Sequence, residues 1–208
     1  MEKVEVTLRN ATPEDTERIA AIMFDDPGIE VMRLAFNDER LASALSKELV
    51  RMPGSTMGWR RTVLAERDGM ALGVLQADSE PAVMPITLRL MLHFAGMFGP
   101  VKVVRAQPRF RARRRVGLRA PAGAYVVHEL HVHPEHRNCG IGGVMLDYAE
   151  AEAKRRGNQR MSLETHMANP ARHLYERHGF RIVATATDAA YERYTAIPGR
   201  YLLVKELT

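Results

Sequence analysis

The chain has 208 residues, 46% of them hydrophobic, and a formal net charge of +5, which suffices for one sizeable core and shows no linker inviting a split into independent domains. Its charged N-terminus lacks an apolar core of signal-peptide length, and no apolar run reaches the roughly 20 residues that span a bilayer, so a cytoplasmic protein is expected. A single cysteine, Cys139, excludes an internal disulfide and a cysteine-based metal site.

Val4 to Arg9 reads as a first strand. In Ala11-Thr12-Pro13-Glu14-Asp15, Thr12 suits a helix cap, Pro13 the first helical position, and Asp15 can reach back to the cap. Ile19, Ile22 and Met23 then give that helix one apolar stripe. Leu41, Leu45 and Leu49 predict a second helix ended by Pro53. Thr62 to Glu66 and Ala71 to Ala77, joined through Asp68-Gly69, read as a hairpin.

An unusual segment follows, about Pro81 to Pro121. Between Ile86 and Ala120 stand nine of the 30 basic residues and none of the 25 acidic ones, so the rest of the chain holds 21 basic against 25 acidic. The whole positive balance therefore resides here. Its first half, Ile86 to Phe98, is apolar except at Thr87, Arg89 and His93, and its second half is arginine-rich. Such a helical insertion can pack on the body with its arginines in water, cover a substrate entrance, form a subunit contact that would make a homodimer, lie on an anionic membrane surface, or grip nucleic acid. Nucleic acid is disfavoured, because no recognition module accompanies the charge.

Tyr125 to Val132 reads as a strand that runs through His133-Pro134-Glu135-His136 into Arg137-Asn138-Cys139-Gly140-Ile141-Gly142-Gly143, with a helix from near Ile141 to Arg156 closed by Gly157. Strand, glycine turn and helix N-terminus together make an anion cradle. Gly140 and Gly142 omit side chains that would hold an anion away from the amides, and Arg137 adds a positive charge at the mouth. Triphosphate and dinucleotide loops do not fit: a Lys-Ser/Thr ending is missing, and Met145 stands where a third glycine is needed. The Cys139 thiol lies in this turn, either activated by the helix dipole or simply small enough to fit.

Arg160 to His166 forms the next strand. In Asn169-Pro170-Ala171-Arg172-His173-Leu174-Tyr175-Glu176-Arg177-His178-Gly179-Phe180, Asn169 reads as N-cap, Pro170 as first helical residue and Gly179 as stop, a helix of about two turns. Ile182 to Thr187 and Tyr201 to Glu206 supply two late strands, with Asp188 to Arg200 as a loop between them. Elements in this order predict a mixed α/β (α+β) fold of six or seven strands, one domain over 1–208 with an insertion at 81–121.

Two of these segments carry a family resemblance. Arg137, Gly140 and Gly142 form R-x-x-G-x-G, which resembles the pyrophosphate-binding motif of the Gcn5-related N-acetyltransferases, the GNAT superfamily. Asn169, Leu174, Tyr175, Gly179 and Phe180 match its second signature, with Ala171 one place closer to the asparagine than usual. The resemblance covers roughly 4–77 and 124–207. It implies a mostly antiparallel sheet flanked by helices and splayed between strands 4 and 5. It also implies that acetyl-CoA is the co-substrate, its pyrophosphate over Arg137, Asn138, Cys139, Gly140, Ile141, Gly142 and Gly143, its pantetheine arm along Leu130, His131 and Val132, with Asn169 bonding that arm or capping its helix. Tyr175 matches the family's proton donor to the departing thiolate, and Glu129, on the face opposite Leu130 and Val132, is the candidate base for the acceptor amine. A backbone N–H near Leu130 would serve the oxyanion. An acyl-CoA sensor without turnover is the other reading.

Histidines offer a rival chemistry. His128, His131, His133 and His136 crowd nine residues, but strand alternation sends His131 and His133 to one face and His128 to the other, so no metal site is expected. The acceptor amine is not encoded in any motif, although Asp188 to Arg200, with Tyr191, Tyr194 and Pro198, is expected to border its site.

Overall fold

In the computed structural model, which describes residues 5–24, 44, 47–52, 55, 57–79 and 88–207, strand β1 is Thr7–Asn10. It starts later than the Val4 expected from sequence. The pairing explains why: Thr7 already lies opposite Glu66, next to the end of its partner strand. Thr12 and Asp15 form the anticipated capping box, the Thr12 N–H donating to Asp15 Oδ2 at 2.8 Å. One 3₁₀ turn, Pro13–Asp15, then leads into α1, Thr16–Phe24. Of the second predicted helix, 47–51 are helical and Leu49 is buried; Leu41, Leu45 and Pro53 lie outside the described residues.

The predicted hairpin is present as β2, Thr62–Arg67, and β3, Met70–Asp78. Asp68 and Gly69 turn it with φ of 52° and 74°, the doubly positive geometry of a type I′ turn. Within the insertion, α2 (Leu88–Phe98) and α3 (Pro100–Arg115) meet at Gly99, φ 83°. Helices thus cover 88–98 and 100–115 of the segment; 81–87 lie outside the described residues.

Then follow β4 (Tyr125–Val132), α4 (Ile141–Arg155), β5 (Arg160–His166), α5 (Arg172–Arg177), β6 (Arg181–Thr187), α6 (Ala189–Thr195) and β7 (Gly199–Glu206). Two of these depart from the sequence reading. Helix α5 starts at Arg172 with Ala171 before it, because Asn169 and Pro170 wind a preliminary turn that carries Arg172 N–H to Asn169 O at 3.2 Å. And the supposed loop after β6 contains α6, capped by Asp188, whose Oδ1 accepts the Tyr191 N–H at 2.9 Å.

The seven strands run β1-β2-β3-β4-β5-β7-β6, antiparallel throughout except for the parallel pair β4–β5. On one face α4 buries Ile141, Met145, Leu146 and Ala149 against Leu72, Leu75, Val127, Met161 and Leu203. On the other, Ile19, Ile22 and Met23 of α1 pack on Leu64 and Val74. No helix among the described residues is long and apolar enough to cross a membrane.

Candidate active site

Strands β4 and β5 pair at Tyr125, Val126 and Val127 opposite Met161, Ser162 and Leu163, and no further. Beyond them the strands diverge. From His128 to Val132, one edge of β4 therefore pairs with no strand among the described residues, while its other edge stays bonded to β3 as far as Val132 opposite Gly73. The predicted splay is here.

A register skip sets what this strand shows to each side. Gln76 pairs with Glu129 and Ala77 with Val127, so His128 is a bulge residue. The bulge reverses the alternation: Tyr125 and Val127 before it, and Leu130 and Val132 after it, all pack with the α4 core. By that count His128, Glu129 and His131 share the opposite face, the one covered by α1. The expectation that His128 faces away from His131 is thus overturned, for a straight strand was assumed where a bulge exists. Glu129 does lie opposite Leu130 and Val132, as expected, and its Oε2 is 2.8 Å from His131 Nε2. Sequence reading placed His131 along the cofactor arm and did not pair it with Glu129. Its i, i+2 spacing from Glu129 on one strand was the signal for the pair.

At the end of β4 a 3₁₀ turn, Pro134–His136, leads to the glycine turn. Gly140 takes φ 87°, ψ −9° as N-cap of α4, and Asn138 is also left-handed at φ 62°. A Cβ at Gly140 would be strained for this reason. Gly142 serves differently: a Cβ there would stand 2.9 Å from Leu174 Cδ2 and 3.7 Å from Leu130 Cδ2. Its missing side chain faces the core, so this glycine seats α4 against α5 and β4 and does not clear space for an anion, a correction to the sequence reading. The Gly143 N–H turns back to Gly140 O at 2.9 Å. The amides of Cys139 to Gly142, at the positive end of the α4 dipole, find no backbone acceptor among the described residues.

Arg137 is exposed and its Nε donates to Val132 O at 3.2 Å, bridging the turn to the strand end. The half-buried Cys139 thiol donates to Arg137 O at 3.5 Å. Asn169 Nδ2 donates to Thr165 Oγ1 at 2.7 Å while its Oδ1 accepts the Ala171 N–H at 2.9 Å, tying β5 to the start of α5. Tyr175 is buried in the α4 core, edge-on to Phe180 with ring centroids 6.2 Å apart.

Across the splay, the insertion is fastened to β5. Glu164, the residue after the last β4–β5 pair, accepts Arg113 Nη2 at 2.7 Å and the Leu118 N–H at 2.8 Å, and also holds Arg200. Ala112 and Val116 of the insertion bury against Tyr191, and Arg109 lies 5.2 Å over the Tyr194 ring. Nothing in the sequence announced Glu164, which looks like one of many strand carboxylates.

The turn also gathers His133, Glu135 and His136, whose donor atoms lie within 4.8 Å of one another. The His136 N–H bonds to His133 O at 2.9 Å, and side chains three apart eclipse on a 3₁₀ turn. Of the four histidines weighed from sequence, His133 and His136 thus come together with Glu135 in a grouping that could hold a metal ion, whereas His128 and His131 do not join it.

With this geometry in view, the model of the family described as "Acetyltransferase (GNAT) family" matches residues 55–180. No curated protein matches the chain in sequence. Among solved structures, an N-acetyltransferase from Staphylococcus aureus Mu50 is 14% identical with TM-score 0.64, over 95% of this chain and 99% of that one. The PaiA N-acetyltransferase from Thermoplasma acidophilum, in complex with coenzyme A, is 14% identical with TM-score 0.58, over 98% and 99%. A Drosophila melanogaster polyamine N-acetyltransferase that forms N-acetylagmatine is 17% identical with TM-score 0.59, over 98% and 100%.

Proposed function

Since the chain belongs to the GNAT family of acetyltransferases, we propose that it transfers the acetyl group of acetyl-CoA to a primary amine of a small molecule or protein, by direct attack on the thioester. The observation that carries this reading is the opening of β4 from β5 after Val127, which ends at the Arg137–Gly143 turn. A strand edge that pairs with no strand among the described residues and a helix N-terminus in series suit an extended amide-bearing arm that ends in a pyrophosphate.

In this reading the amides of Cys139 to Gly142, with Arg137 beside them, hold the pyrophosphate, and the backbone of Leu130 to Val132 holds the pantetheine arm. The thioester supplies the acetyl group. Glu129 and His131, hydrogen-bonded on the α1 face, attract the cationic amine and take its proton directly or through water. A backbone N–H near Leu130 steadies the tetrahedral oxyanion. Tyr175 gives a proton to the departing sulfur. Asn169 sets the distance between β5 and α5, and so places Tyr175.

Acetyl-CoA titration by calorimetry followed by a thiol-release assay over a panel of polyamines, amino acids, aminoglycosides and a lysine peptide tests the proposal. Saturable acetyl-CoA binding with amine-dependent thiol release is the expected result. Binding without release for any amine would leave a sensor in place of an enzyme.

A further inference from the structure

The α2–α3 hairpin carries a second kind of surface. Leu92 is 63% exposed, Met97 43%, Val101 61% and Val104 67%, four of the eight large hydrophobic residues that the described chain leaves exposed. They flank the Gly99 elbow on both sides. On α3 the outward positions 101, 104, 108 and 111 follow helical spacing, apolar near the elbow and basic further on. Arg105, Arg111 and Arg114 are exposed on the same helix. Between Ile86 and Ala120 no acidic residue tempers them, while the remainder of the chain is net acidic.

The inner face of α3 is spoken for. Arg113 and Arg115 reach Glu164 and Asp188, and Ala112 and Val116 are buried. What stays outward is an apolar elbow backed by arginines. An aqueous surface gains nothing from exposing that combination, whereas a leaflet of acidic phospholipid matches both parts, acyl chains for the apolar residues and headgroup phosphates for the arginines. The acidic body would be repelled from the same leaflet, which fixes the orientation. We propose that the α2–α3 elbow docks this protein on anionic membrane surfaces, peripherally and without spanning them.

Flotation of the full chain with vesicles tests this at low and physiological salt. With equal parts phosphatidylcholine and phosphatidylglycerol the protein should float; with phosphatidylcholine alone it should stay behind. Arg105→Glu combined with Arg111→Glu should weaken binding by roughly thirtyfold or more, at the usual contribution per basic residue. Val104→Asp should weaken it further while leaving acetyl-CoA binding intact, because the position is exposed. Equal binding to neutral vesicles, indifference to these substitutions, or no flotation with anionic vesicles at low salt would each overturn the proposal. So would self-association lost in Val104→Asp without lipid, which would assign the elbow to a second copy, or tighter binding to duplex DNA than to the anionic vesicles. These readouts do not depend on turnover, so their failure leaves the proposed acetyl transfer untouched.

Discussion

Glu129 Oε2 and His131 Nε2 stand 2.8 Å apart on the α1 face of β4, just past the bulge at His128. The two therefore act as a unit. Glu129→Gln should lower kcat by about 10²- to 10⁴-fold, the usual span for a general base, with acetyl-CoA affinity unchanged. His131→Gln should cost less, and the double variant less than the product of the two, since neighbours in one network do not add. Steady-state kinetics of the three variants checks this; strict additivity would show that the pair is not one device.

Tyr175 packs edge-on to Phe180 inside the α4 core. Phenylalanine keeps that packing and removes only the hydroxyl, so Tyr175→Phe should leave the melting temperature within a few degrees and acetyl-CoA affinity near its original value. Turnover should fall by at least about tenfold, as expected for loss of a proton donor. Unchanged turnover would reduce Tyr175 to a core residue.

Gly142 has its missing side chain pointed at Leu174. The 2.9 Å that a Cβ would leave to Leu174 Cδ2 is too short, but the obstructing atom is the far end of a flexible side chain. Gly142→Ala should therefore cost about 1 to 2 kcal/mol of stability by overpacking and weaken acetyl-CoA binding modestly, through displacement of the α4 N-terminus. Adding Leu174→Ala should recover part of the affinity. Gly142→Leu leaves no such escape. Thermal melts and acetyl-CoA titration separate this from a direct clash with ligand, for which Leu174→Ala would recover nothing.

The contrast between Gly140 and Glu164 shows where sequence reading succeeds. Local patterns carry their own geometry, so the Asp68-Gly69 turn, the Thr12–Asp15 box and the glycine turn after β4 were all readable from residue order. Helix α6 was missed although Asp188 caps it, because Ala189–Thr195 offers a single buried anchor, Tyr191, and no apolar stripe. The bulge at His128 has no residue signature and exists only in the register between β3 and β4. Glu164 gains its place from partners 51 and 36 positions away, which periodicity cannot reach.

Asp15 gives the chain an acid-sensitive anchor. Hydrogen bonds from Arg9 hold its carboxyl well below the usual carboxylate range, outweighing the opposing effect of burial, and the Thr12 N–H assists. A depressed folded value means stability that is complete above the unfolded value of about 4 and is lost as pH falls below it. Asp15→Asn should thus cost about 1.5 to 3 kcal/mol near neutrality, and the gap from the parent should narrow steadily below about pH 4. Urea melts from pH 7 to pH 2.5 check this. A gap constant across that range would mean that the charge is not what stabilises the cap.

Glu164 joins three elements at the apex of the splay: α3 through Arg113, the segment after it through the Leu118 N–H, and β7 through Arg200. Glu164→Gln keeps the shape and withdraws the charge that two guanidinium groups share. Breaking a buried pair this way costs 3 to 5 kcal/mol at most, and less here because Glu164 is partly solvated, so roughly 1 to 3 kcal/mol is expected. That corresponds to a drop of about 2 to 12 °C in melting temperature for a chain of this size. Arg113→Ala cuts only the link to α3 and leaves Arg200 in place, so it should spare most of the melting temperature. Both variants should raise the rate of proteolytic cleavage within 100–118, and both should change KM for the acceptor amine more than the affinity for acetyl-CoA, because the insertion is fastened to β5 where its pairing with β4 ends. If Arg113→Ala leaves cleavage and acceptor KM as they were, Arg113 does not hold the insertion, which then rests on the Leu118 N–H bond to Glu164, the Arg115–Asp188 pair and packing on Tyr191.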